Sequence, residues 1–156
     1  MLRYLLLECR KNNKMKKVIG SLFFVLFAVT LSLGQSPLGI WKSIDDNSGK
    51  ARSKVEIYES NGKIYGKIID LLLKPNDTLC DKCEGKLKNK PVVGLVIIND
   101  MTTYKDYWKN GTILDPESGS TYSCSIWFES GKPNELKVRG RHWTGIYRTQ
   151  TWYRVL

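Results

Sequence analysis

The chain has 156 residues, 42% hydrophobic and 26% charged, a balance that suits one globular domain and excludes wholesale disorder. Its formal net charge of +10 is unevenly placed: six of the 25 Lys and Arg residues precede residue 36, and the rest carries 19 basic against 14 acidic residues, interspersed along the chain. No nucleic-acid partner is expected from such a dispersed +5.

The first element in chain order is an address. Met15 opens "MKKVIGSLFFVLFAVTLSLGQS", where Lys16 and Lys17 precede an uncharged, mostly apolar run from Val18 to Leu33. Small residues at Ser32 and Gly34 then offer a cut before Gln35, the layout of a secretory signal peptide. The run is shorter than the ~20 residues a spanning helix needs, and no cysteine follows the cut to carry a lipid. Residues 1–34 are therefore read as an upstream segment plus signal peptide, with Met15 the expected start. The expected location is periplasmic or secreted, with no membrane span left after cleavage. Residues 36–156 are read as a single domain.

After residue 36 no sustained helical period appears; short alternating or apolar runs are separated by turn residues. Eight strands are predicted. They are residues 40–44, 53–59, 63–72, 92–98, 112–114, 120–129, 135–140 and 146–155. Asn61-Gly62 joins the second and third as a tight hairpin, because both positions tolerate positive φ. A long irregular segment from Leu73 to Lys90 precedes the fourth. The polar stretch "NDMTTYKDYWKNG" is read as a loop before a short fifth strand, and "DPESG" as the turn into the sixth.

Eight consecutive strands on short connections predict an all-β, up-and-down barrel, which leaves no exposed sheet edge. A two-sheet sandwich is the alternative. In a closed barrel the first and last strands are neighbours, so Trp41 and Arg154 are expected to meet in a cation–π contact that packs one barrel end. This Gly-x-Trp with a late arginine resembles the lipocalin and wider calycin pattern. The stretches "GIWKSIDDNSGKARSKVEIYESNGKIYGKI", "CDKCEGKLKNKPVVGL", "GTILDPESGSTYSC", "LKVRG" and "RTQTWYRV" together resemble the domain-of-unknown-function family 2147 across nearly the whole domain. The chain departs from that family in "RGRHWTGIYRTQTW", where Arg141, His142 and Trp143 replace a more apolar stretch. The resemblance implies small secreted bacterial proteins with a calycin-like barrel; it supplies no activity and no functional residue.

Chemistry is sparse. Cys80 and Cys83 could be a metal clip, a redox pair or a staple. Zinc wants four ligands and lacks a second pair. A redox pair wants a helix N-terminus to activate the thiol. An exported compartment favours the Cys80–Cys83 disulfide, with Cys124 a buried free thiol on the apolar face of its strand. Asp115 and Glu117 read better as turn residues than as an acid–base pair, and His142 has no orienting partner. No catalytic residue, metal or cofactor is expected. The last strand is the informative one: Arg148, Gln150, Trp152 and Arg154 share a face, with Arg139 expected nearby. A buried guanidinium needs a partner, whether Asp70 or another carboxylate, or an anionic ligand head group held by Arg139, Arg148 and Gln150 with Trp152 beside its tail. The functional expectation is an exported barrel that binds a small amphipathic or anionic molecule. The alternative is a filled barrel that serves as a structural or protein-interaction module of the envelope. A hydrolase or isomerase would need a constellation that the sequence does not display.

Overall fold

The computed structural model describes residues 35–45 and 48–156. The expected signal peptide and start at Met15 lie outside the described residues. Among these residues no helix is long and apolar enough to cross a membrane.

Eight antiparallel strands close into one barrel in sequence order. They are β1 (Gly39–Ile44), β2 (Ala51–Ser60), β3 (Lys63–Leu71), β4 (Val96–Tyr104), β5 (Tyr107–Asp115), β6 (Ser120–Phe128), β7 (Glu135–Arg141) and β8 (Tyr147–Arg154). The seam is the pairing of Trp41 with Arg154 and of Lys42 with Tyr153, so every strand has two neighbours and the sandwich alternative is excluded. Gln35–Leu156 is one compact unit that holds all eight strands and the buried core cluster of the described residues.

Period-2 alternation makes the core. Trp41 and Ser43 on β1, Ser53, Val55 and Ile57 on β2, and Leu136 and Val138 on β7 all turn inward, with partly exposed residues between them. Asn61 and Gly62 both take positive φ, 51° and 73°, in the tight turn expected there.

The fourth and fifth strands correct the sequence reading. Residues 92–95 belong to the preceding connection, although Val92 and Leu95 are buried. "NDMTTYKDYWKNG" is no loop: it supplies the distal half of β4, a turn at Lys105-Asp106, and most of β5. Two irregularities hide this. Asp100 (φ 56°) and Asn110 (φ 64°) adopt left-handed backbone, and the register shifts between Ile64 and Gly66 and between Trp108 and Gly111. A bulge adds a residue and breaks the alternation by which a strand is recognised.

The two ends of the barrel differ. One end is filled by aromatic side chains: Trp41 and Trp108 both pack on Phe128, with ring centroids 5.9 and 6.2 Å apart, above fully buried Met101 and Leu136. The other end carries the β1–β2, β3–β4, β5–β6 and β7–β8 connections, and there the interior is open.

Candidate functional site

A cavity of about 780 Å³ enters the barrel from the open end. Its floor is apolar, built by Ile68, Ile97, Leu114, Val138 and Trp152 from five strands. One polar spot interrupts the wall: the buried hydroxyls of Ser43 and Ser53 hydrogen-bond to each other at 2.7 Å across β1 and β2. Above them sit Gln150 and Arg148, then the mouth.

Three of the four proposed ligand-binding residues are brought together here. Arg148, Gln150 and Trp152 alternate inward along β8 and line the cavity in that order from mouth to floor. The Gln150 side chain is oriented at both ends. Its Oε1 accepts from Trp152 Nε1 at 3.2 Å, and its Nε2 donates to the Ile44 carbonyl at 3.4 Å. Arg139 is not part of the group. It pairs in register with Thr149, so the period-2 rule places it on the outer face. There its guanidinium lies between the rings of Trp127 and Tyr147, at 4.9 and 4.4 Å, and its Nε donates to Thr149 Oγ1 at 2.8 Å. Asp70, considered above as a carboxylate partner for the β8 arginine, accepts from Lys54 Nζ at 2.9 Å and from Asn76 at 3.0 Å.

The long β3–β4 connection, residues 72–95, forms part of the cavity wall through Leu73, Thr78, Leu79 and Val92. It is well fastened. Leu79 bridges to Pro91, and Cys80 N–H donates to the Lys90 carbonyl at 2.8 Å while Asn89 N–H donates back to Cys80 at 2.9 Å. The Cys80–Cys83 disulfide forms at its inner edge, with both residues fully buried and Cys80 Sγ 3.4 Å from the Pro116 carbonyl. The connection rests on the β5–β6 turn, where a Cβ added to Gly119 would lie 1.9 Å from the Lys82 carbonyl oxygen. Asp115 and Glu117 of that turn are structural: Arg52 of β2 contacts both at 3.2 Å, and Lys74 contacts Glu117 at 2.9 Å. His142, also at the mouth, hydrogen-bonds through Nδ1 with Thr144 Oγ1 at 2.8 Å.

Cys124 is a free, buried thiol, and burial pushes its pKa up to about 12. That is the opposite of an activated nucleophile. Among the described residues no group of three or more His, Cys, Asp or Glu could hold a metal ion. Trp41 and Arg154 lie at the filled end, where the Arg154 guanidinium sits 4.1 Å over the Trp41 ring. Sequence reasoning missed the serine pair, Tyr122 at the mouth and the contribution of the β3–β4 connection. Three consecutive leucines, Leu71 to Leu73, running off the end of a strand into a polar segment were the available signal.

The fold has a solved counterpart. Protein HP1028 from the human pathogen Helicobacter pylori, described as belonging to the lipocalin family, matches with a TM-score of 0.67 and 25% sequence identity, covering 78% of this chain and 84% of that one. No curated protein is significantly similar in sequence. The profile of a family described as "Uncharacterized protein conserved in bacteria (DUF2147)" matches residues 39–154, which include every residue of the eight strands. The chain belongs to the DUF2147 family, and its barrel is lipocalin-like.

Proposed function

We propose that this protein is exported and that its barrel carries a small amphipathic molecule, apolar part inward and anionic head at the mouth. The observation that supports it is the cavity: about 780 Å³, within the roughly 300–1,000 Å³ typical of ligand sites, with an apolar floor and a few convergent polar groups. Arg148 supplies the charge complementary to an anionic head. Gln150, held by Trp152 and the Ile44 carbonyl, is a preoriented amide beneath it. Of the carboxylates that line the cavity, Asp115 and Glu117 are matched by Arg52 and Lys74, while Asp45 and Asp81 add negative charge at the rim. The Cys80–Cys83 disulfide agrees with an oxidising compartment. The filled-barrel reading suits only the aromatic end, since the other half of the interior is open.

The test is native mass spectrometry of the protein purified from its own host, paired with displacement of a fluorescent anionic amphiphile. A co-purifying small molecule, and a displacement lost in Val138→Trp, which fills the cavity floor, support the reading. Arg148→Gln should weaken an anionic probe about tenfold and leave a neutral one unchanged, as expected for loss of a charged hydrogen bond. An empty mass together with no probe binding rejects ligand carriage.

A further inference from the structure

We propose that the open rim of the barrel is a docking surface for an anionic phospholipid bilayer, with the β7–β8 hairpin tip as its anchor. The proposal concerns the rim, not the cavity contents, and stands whether or not the cavity carries a ligand.

The first observation is where apolar side chains are left in water. Trp143, Ile146 and Tyr147 are 89%, 75% and 59% exposed, and all three belong to the β7–β8 tip. Leu72, Leu73 and Leu79 of the β3–β4 connection are also exposed, at the same end of the barrel. An exposed apolar rim around a cavity mouth marks an interaction surface. Single surface hydrophobics are ordinary; a group shared by two connections at one end is not.

The second observation is charge. From Leu136 to the last residue the chain has no Asp or Glu, and the cations it places toward the β7–β8 tip are Arg141 and Arg148. Arg141 is exposed and immediately precedes the tip, and Arg139 is stacked on the outer ring of Tyr147. The β3–β4 connection adds Lys74, Lys82, Lys86, Lys88 and Lys90 against Asp77, Asp81 and Glu84. Asp45, Asp115 and Glu117 of the neighbouring connections also lie at this end, the last two matched by Arg52 and Lys74, so the excess of cations is concentrated at the β7–β8 tip and the β3–β4 connection, where it complements an anionic headgroup layer.

The third observation is that the tip is built to present its side chains. His142 N–H donates to the Ile146 carbonyl at 2.8 Å, Gly145 N–H donates to His142 at 2.9 Å, and the His142 ring braces Thr144. Trp143 stands at the apex of an ordered turn, so little is lost in ordering it at a surface. Tryptophan and tyrosine with an amphipathic ring settle at the headgroup level, and arginine beside them meets phosphate. Docked this way, the cavity mouth would face the lipid. That is the geometry for passing an amphipathic molecule between bilayer and barrel without crossing water.

The experiment uses the chain from Gln35 onward, which holds every strand and the entire core. Vesicles of phosphatidylglycerol with phosphatidylethanolamine are compared with vesicles of phosphatidylcholine alone by co-sedimentation. Binding to the anionic vesicles only, falling as salt screens the charges, is expected. Trp143→Ala should reduce that binding about tenfold, the scale for withdrawing a large aromatic ring from an apolar environment. Arg141→Gln should reduce it about fivefold, the scale for one basic residue at an anionic surface. Because Trp143 is almost wholly exposed, unchanged melting curves will show that both variants are folded. Brominated lipid should quench part of the wild-type tryptophan emission and none of it in Trp143→Ala. Equal binding to both vesicle types, no binding to either, or a self-association in solution that Trp143→Ala abolishes would each overturn the proposal.

Discussion

The guanidinium of Arg154 lies 4.1 Å over the indole ring of Trp41, its register partner across the seam that closes the barrel. The same guanidinium donates to the Leu38 carbonyl at 2.9 Å and the Ser36 carbonyl at 2.8 Å, while Trp41 Nε1 donates to the Pro37 carbonyl at 2.8 Å. The two side chains thus fasten the segment before β1 across the barrel end. Gly39 makes this possible. Its φ is 124°, and a Cβ there would meet Arg154 Nη1 at 3.0 Å. Gly-x-Trp and the late arginine are three parts of one contact.

Trp41→Ala should therefore cost about 3–5 kcal/mol, as large aromatic truncations in a core do. Arg154→Lys keeps the charge but loses the planar stack and the fork that reaches two carbonyls, and should cost about 1 kcal/mol. Urea denaturation reads both. A wild-type midpoint in Arg154→Lys would show that a positive charge alone suffices at the seam.

Gly119→Ala should destabilise more than an ordinary surface substitution, by at least about 1–2 kcal/mol. Two causes act together: the backbone there has φ 73°, and the new methyl would overlap the Lys82 backbone. The damage should be local. Hydrogen exchange is expected to speed up at the amides of Cys80, Asn89 and Val92, which hold the β3–β4 connection, with β6 and β7 protected as before. Uniform loss of protection would mean that the turn supports the whole barrel.

The thiols should titrate in a fixed order in the chain from Gln35. Native protein should give no reaction with a thiol reagent, since Cys124 is buried with its pKa pushed up to about 12 and Cys80 and Cys83 are bonded. Denaturant alone should release one thiol, and denaturant with reductant three. Replacing both Cys80 and Cys83 by Ser should cost about 2 kcal/mol on the loop-entropy model. A second free thiol in denaturant without reductant would contradict the bond.

Acid should weaken the protein through two carboxylates, half-buried Asp70 and exposed Asp100. Lys54 and Asn76 hold Asp70 below the ordinary carboxyl range, and Lys63 and Tyr65 do the same for Asp100. The unfolded chain protonates these groups near pH ~3.9. Their stabilisation is complete above that pH and is lost as the pH falls through the lower folded values. Melting temperatures of wild type and Asp100→Asn should therefore run parallel from pH 7 to 5 and converge below about pH 4. A gap that stays constant into acid would assign the effect of Asp100 to its backbone position instead of its charge.

The chain order of strands, the Asn61-Gly62 turn, the alternation on β1, β2, β7 and β8, the proximity of Trp41 to Arg154 and the Cys80–Cys83 staple were all legible in the sequence. Each rests on a local rule or on one inference from closure. Strand alternation is a property of adjacent residues, and antiparallel strands in an unbroken series leave only one way for first and last to meet. That Arg148, Gln150 and Trp152 face one side was legible for the same reason, because they lie on one strand with period two.

What only the tertiary structure decided is relative placement across strands. Arg139 was grouped with Arg148 because it lies on the neighbouring strand. The pairing of Arg139 with Thr149 and of Gly140 with Arg148 sets them on opposite faces, since a shift of one residue in register exchanges inside for outside. The bulges at Asp100 and Asn110 likewise concealed half of β4 and most of β5, because the extra residue breaks the period-two alternation and the polar Asp and Asn there read as turn formers. The division of the interior is also tertiary. Bulky rings from β1, β5 and β6 converge at one end, while at the other the disulfide-closed connection joins the wall instead of filling the space. Composition determined an exported-looking β domain; packing decided that half of the barrel is filled and half is a cavity.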